Sequence, residues 1–172
     1  MATTTQNSNS VSGLMVTAAQ YNTYVYTPAG TPVSVIADRT EMSSGEIYYA
    51  NWWVSNYYPN ATILAGPTNK YNCHSYAWYW MSTYNIYWMN DPSAYMWDGS
   101  SVYYGTTPGI RISGLRMYYP GEHSAYMTGR YPSNSTSYGD ITCKSKWGSL
   151  PLMSHKANYC PYTSTTIEFY SM

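Results

Sequence analysis

The chain has 172 residues and a formal net charge of zero, with only 9% charged residues against about a quarter in an average globular protein. It therefore offers no basic patch to a nucleic-acid backbone, and no apolar run approaches the length of a membrane-spanning helix. Its enrichment is aromatic instead, with 23 Tyr and 7 Trp against a single Phe.

Residues 1–13 are rich in Thr, Ser, Asn and Gln and lack both a charged n-region and an apolar h-region, so they read as a polar N-terminal tail and not as a secretory signal. Residues 14–172 read as one domain, long enough to bury a core. After the turn Thr27-Pro28-Ala29-Gly30, residues 33–36 alternate as a short strand. Ser43-Ser44-Gly45-Glu46 is a capping box, and Met42 with Ile47 has the spacing of a hydrophobic staple. A helix is thus predicted from Ser43, with Ile47, Ala50, Val54 and Tyr57 or Tyr58 on one face and an end at Tyr58-Pro59-Asn60. A second helix is predicted from Asn72, placing Cys73, Tyr76, Ala77 and Trp80 at i, i+3, i+4 and i+7. Residues 88–104 read as a long loop or lid with turns at Asp91-Pro92 and Asp98-Gly99. Strands are predicted over residues 110–112, 115–119, 123–128, 140–146 and 165–170. Helices followed by an antiparallel sheet make an α+β fold.

Tyr71-Asn72-Cys73-His74-Ser75-Tyr76-Ala77-Trp78 holds the strongest chemical signal. Asn72 is a good N-cap, and a cysteine in the first turn of a helix meets the positive end of the dipole, which favours the thiolate. A thiolate is a nucleophile, and His123 in Gly121-Glu122-His123-Ser124-Ala125 has the chemistry of its general base and later general acid. The competing reading of Cys73 is a small buried hydrophobe, the usual fate of a free cysteine. His74, one residue on, points about 100° away on a helix and is a contact to a loop or substrate. Trp78 and Trp88 are expected to line a cleft beside Cys73, with core packing as the alternative for at least one of them.

Residues 70–79 (KYNCHSYAWY), Trp88-Met89-Asn90-Asp91-Pro92 and Asp98-Gly99-Ser100 together resemble secreted bacterial cysteine-amidase-like domains near the CHAP-type and NlpC-type cell-wall hydrolases. The similarity runs over about residues 27–162 and includes His123-Ser124-Ala125 and Ser145-Lys146-Trp147-Gly148. It implies a papain-like core and a Cys-His amidase or endopeptidase, acting on peptide or peptidoglycan-like substrates outside the cell. The oxyanion would be met by the Cys73 backbone N–H and the Asn72 side chain. Such enzymes carry a third polar residue that orients the histidine. Period-two alternation puts Cys143 and Ser145 on one face of the strand after His123 and Lys144 and Lys146 on the other, so Ser145 is the positional candidate and His155 a second.

Three cysteines leave one over if two pair. Cys143 and Cys160 are the disulfide candidates in an exported chain, leaving Cys73 free; in a reducing compartment all three stay thiols. No CxxC occurs and His74, His123 and His155 have no ligand register, so neither metal nor organic cofactor is expected. The competing class of function is a catalytically inactive domain of the same fold that binds or self-assembles, as a homo-oligomer, through Tyr- and Trp-rich surfaces. A missing partner for His123, or Cys73 tied into a disulfide, is the feature that favours it.

Overall fold

The turn at Thr27–Gly30 folds two strands into a hairpin. Pro28 presets φ at the second turn position, Gly30 sits at φ +90° where a side chain is strained, and the Gly30 N–H closes the turn on the Thr27 carbonyl at 2.9 Å. In this computed structural model, which describes residues 19–107 and 113–172, the hairpin joins β1 (Tyr21–Tyr26) to β2 (Pro32–Ala37). The expected tail over residues 1–13 and the strand over 110–112 lie outside the described residues.

The capping box forms as the sequence requires. The Glu46 N–H donates to Ser43 Oγ at 3.3 Å while the Ser43 N–H donates to Glu46 Oε2 at 2.7 Å, and α1 runs from Ser44 to Tyr57. Ala50 and Val54 are buried, and Val54 packs with Trp147 and Met153. Tyr58 is half-buried at the C-cap, whereas Tyr57 is 60% exposed. Strand β3 (Thr62–Ala65) follows. The segment carrying Cys73 is short, with Cys73 and His74 leading into a single π-helical turn, Ser75–Tyr79.

The predicted lid is built from anchored pieces instead: β4 (Tyr87–Met89), α2 (Ala94–Trp97) and β5 (Val102–Tyr103). The Asp98 carboxylate accepts the Thr27 hydroxyl and the Ser100 N–H, tying this stretch to the β1–β2 turn. The remaining strands are β6 (Arg116–Tyr119), β7 (His123–Arg130), β8 (Ile141–Lys146), β9 (Leu152–Lys156) and β10 (Glu168–Ser171).

Strands β1-β2-β4 make one antiparallel sheet and β3-β9-β8-β7-β6-β10-β5 a second. The chain is thus a mixed α and β protein with antiparallel sheets and few helices, and a strand hairpin precedes the first helix. One face of the larger sheet buries Met117, Tyr119, Ala125, Met127, Cys143 and Phe169. A second cluster joins the sheets through Val25, Val35, Trp78, Met89, Tyr95 and Tyr170.

Since Ser43→Ala removes the hydroxyl that accepts the Glu46 N–H and leaves the backbone bond to Glu46 in place, it is expected to lower unfolding free energy by about 1 kcal/mol. Urea titration followed by circular dichroism should show an earlier midpoint with an unchanged slope.

Candidate active site

Asn72 starts the Cys73 segment as an N-cap: its Oδ1 accepts the Ser75 N–H at 3.2 Å. The same oxygen accepts the Met89 N–H at 3.2 Å, and Nδ2 donates to the Met89 carbonyl at 2.6 Å. Asn72 therefore clamps the segment to β4, with one of its two amide N–H donors committed to the Met89 carbonyl.

Cys73 is 5% exposed. Burial pushes its thiol up to about 11, opposed only in part by the backbone N–H groups of Ser124 and His74 and the Lys146 charge. Burial thus opposes the thiolate that a helix start would favour. A segment this short supplies little dipole, and desolvation prevails over it.

His74 and Trp78, expected on a substrate cleft, are both buried and both turn to Ser124. The Trp78 indole N–H donates to Ser124 Oγ at 2.9 Å, and His74 Nδ1 lies 2.8 Å from the same oxygen. Trp88 lies half-buried in β4 with the Arg39 guanidinium 3.9 Å above its ring. His74 and Trp78 are thus packed against β7, while Trp88 remains partly open to solvent.

His123 is the first residue of β7 and is fully buried. Alternation along β7 sends Ser124 toward the π-helical turn and His123 to the opposite face, opposite Tyr119 in register and 5.2 Å from its ring. The Tyr162 ring lies flat on the imidazole, with centroids 3.7 Å apart and planes 9° from parallel. Neither ring nitrogen has a hydrogen-bond partner, so the thiol of Cys73 does not meet it. Burial holds His123 well below the usual histidine range, and the neighbouring His155 and His74 act in the same direction.

Ser145, expected to orient His123, pairs instead with the other candidate. Its Oγ lies 2.7 Å from His155 Nε2 and accepts the Trp147 indole N–H at 3.0 Å, while His155 Nδ1 sits 2.8 Å from the Lys156 carbonyl. The reason is register, because Cys143 opposes His155 across β8 and β9 and Ser145 lies two residues along the same face. Cys143 Sγ is 3.5 Å from His155 Nε2, and Cys160 Sγ faces the Ala157 and Tyr162 carbonyls at 3.8 Å. Both are free thiols, so the proposed disulfide is not made.

Three further residues shape the site. Ser124 anchors the Cys73 segment, Tyr162 covers His123, and Glu122 holds the strap on which Tyr162 sits. The Glu122 carboxylate accepts the Thr163 N–H at 3.0 Å and the Ser164 N–H at 3.1 Å. Lys146 is buried close by, its ammonium donating to the carbonyls of Thr68, Gly148 and Leu150 at 3.0, 2.6 and 2.6 Å. Among the described residues no group of three His, Cys, Asp or Glu side chains is placed to hold a metal ion. Compared with protein-family models, curated proteins and solved structures, the chain matches none of them.

Burial lowers His74 and His155 to about 4 and holds His123 well below its usual range, from 6.5 in the unfolded chain. Between pH 6.5 and 4 the unfolded state thus binds protons that the folded state refuses. The histidine contribution to stability should be complete above pH 6.5 and fall on acidification, by up to about 1.4 kcal/mol per pH unit for each histidine. Urea midpoints measured from pH 7.5 to 4.5 check this, and a flat profile would mean that the three imidazoles are not buried as neutral rings.

Proposed function

We propose that the chain is a papain-like Cys-His hydrolase of amide bonds, with Cys73 as nucleophile and His123 as base, shut by Tyr162 in the state described. One observation carries the reading. A fully buried imidazole with two unpartnered nitrogens immediately precedes Ser124, whose backbone N–H faces the Cys73 thiol. An unsatisfied buried polar group costs about 1–3 kcal/mol, and such a cost is explained where the group has chemistry to perform. Support also comes from the arrangement of parts, a helical segment carrying Cys73 packed on an antiparallel sheet whose strand β7 opens with His123.

Chemistry requires the Tyr162 strap to lift and the imidazole to turn toward the thiol. His123 then takes the Cys73 proton, and the thiolate attacks the amide carbonyl to form a thioester after His123 protonates the departing amine. Water deprotonated by His123 cleaves the thioester, releasing the acid and restoring the thiol. The Cys73 backbone N–H is the nearest oxyanion donor on this reading. Ser145 is engaged with His155, so the imidazole is held by the Tyr119 and Tyr162 rings and not by a third polar residue. Peptidoglycan stem peptides are the first substrates to test, in an exported protein.

A second reading rests on the surface and on the missing polar partner of His123, the feature that favours an inactive domain. On α1, Tyr48, Tyr49, Trp52 and Tyr57 are exposed, with the Tyr49 and Trp52 rings stacked at 5.7 Å. A helix that shows water tyrosine and tryptophan where charges are usual has the composition of a binding face. On this reading the domain is inactive and serves recognition or assembly.

Alkylation of Cys73 by iodoacetamide, located by mass spectrometry, separates the two. The wild type should label slowly. Tyr162→Ala should label about tenfold faster or more at pH 7, as expected when a thiol gains access and a base, and adding His123→Ala should remove the gain. The Tyr162→Ala protein should also cleave stem-peptide amides. Equally slow labelling in all three proteins would sink the hydrolase and leave the aromatic face.

A further inference from the structure

Among the described residues the two sheets end in four edge strands, and three of them are poor templates for another chain. β5 has two residues, β4 has three, and β3 has four with a register shift between Ile63 and Ala65. Short strands and irregular register are the ordinary protections of a sheet edge. β1 lacks them. It has six residues, pairs with β2 in unbroken register from Tyr21 to Tyr26, and pairs with no other strand among the described residues. Its sequence, Tyr-Asn-Thr-Tyr-Val-Tyr, holds no lysine, no other charge and no proline.

We propose that β1 pairs antiparallel with β1 of a second copy about a two-fold axis, joining two three-stranded sheets into one of six strands. The free side of β1 offers a row of backbone N–H and C=O groups, whose natural partner is another extended strand. A two-fold contact must be self-complementary, and an uncharged strand sets no like charges opposite one another. The formal net charge of zero removes long-range repulsion between copies.

The burial pattern also restricts the register. Val25 is buried in the core that joins the sheets, while Tyr24 and Tyr26 on the other face are each 62% exposed. Only pairings that keep each face with itself preserve this arrangement. Centring the axis on Tyr24 does so, setting Tyr24 opposite its own copy, Asn22 opposite Tyr26 and Thr23 opposite Val25. The rings that are exposed in one copy then cover one another, and Val25 stays inside. The assembly does not depend on the thiol chemistry proposed above.

Sedimentation equilibrium of the full chain at about 100 μM, a concentration that populates weak specific dimers, tests the assembly. The wild type should sediment at twice the 19.5 kDa chain mass. Tyr24→Lys, which puts two ammonium groups on the axis, should sediment as a monomer, while Tyr84→Lys at another exposed tyrosine should behave as the wild type. Tyr24→Cys supplies a separate readout, a covalent dimer through position 24 on mild oxidation, and decides the matter if Tyr24→Lys fails to fold. A monomeric wild type overturns the proposal. So does a dimer that Tyr24→Lys leaves intact and that does not crosslink at position 24. Amides of β1 protected from hydrogen exchange in a monomer would instead assign the edge to a segment of the same chain.

Discussion

The hydroxyl of Ser124 is the joint on which the Cys73 region depends. It accepts the Trp78 indole N–H, pairs with His74 Nδ1 and is wholly buried, so the π-helical turn is fixed over β7 at one residue. Strand alternation then determines the rest. With Ser124 under the turn, His123 must point to the other face. Lys144 and Lys146, on the turn's side of β8, meet the rings of Tyr76 and Tyr71 at 5.9 and 5.4 Å. The same phase that secures the cysteine segment separates its thiol from the imidazole nitrogens. Any chemistry between the two must come from movement at the strand end, where Tyr162 and its strap lie, and not from shifting the whole turn.

Much of the scaffold was legible because its signals are local. The capping box of α1 uses residues three apart, and β2, β6, β7 and β8 show alternation that the burial follows. β1 was missed because Tyr-Asn-Thr-Tyr-Val-Tyr alternates in no hydrophobicity sense, although tyrosine, threonine and valine all favour strands. β9, Leu-Met-Ser-His-Lys, has no β-branched residue, and the π-helical turn has no sequence signature. The site suffered from this directly. Cys73 and His123 were found singly, but whether they face each other depends on how the turn sits over the sheet. That Ser145 and His155 partner one another follows from the β8–β9 register, which is invisible without β9. Tyr162 reaches His123 by a return of the chain that no local pattern encodes.

Satisfaction of buried polar groups gives His123 its meaning. Lys146 is as deeply buried, and its ammonium has three carbonyl acceptors; burial still lowers it to about 7. His155 has Ser145, Trp147 and the Lys156 carbonyl, and His74 has Ser124. Among these, His123 alone has both ring nitrogens unpartnered, and its contacts are aromatic faces. A chain able to satisfy an ammonium in its interior is not short of ways to satisfy an imidazole. The buried Tyr95 hydroxyl is likewise unpartnered, but His123 adjoins Ser124, whose backbone N–H lies at the Cys73 thiol.

The aromatic excess is one property seen inside and outside. A path of ring contacts runs from Trp53 to Tyr58 at 5.5 Å, on to Trp147 at 5.0 Å and to His155 at 5.1 Å, while Tyr49 and Trp52 stack on the outer side of the same helix. Tyrosine serves both places because its ring packs and its hydroxyl faces water. With so few charged residues, tyrosine, serine, threonine and asparagine must cover the surface in place of lysine and glutamate. That substitution has a consequence at the sheet edges, since lysine is also the usual guard of an exposed strand. A surface built this way leaves β1 unguarded, so the composition that spares the chain a charged exterior also gives it an edge suited to another strand.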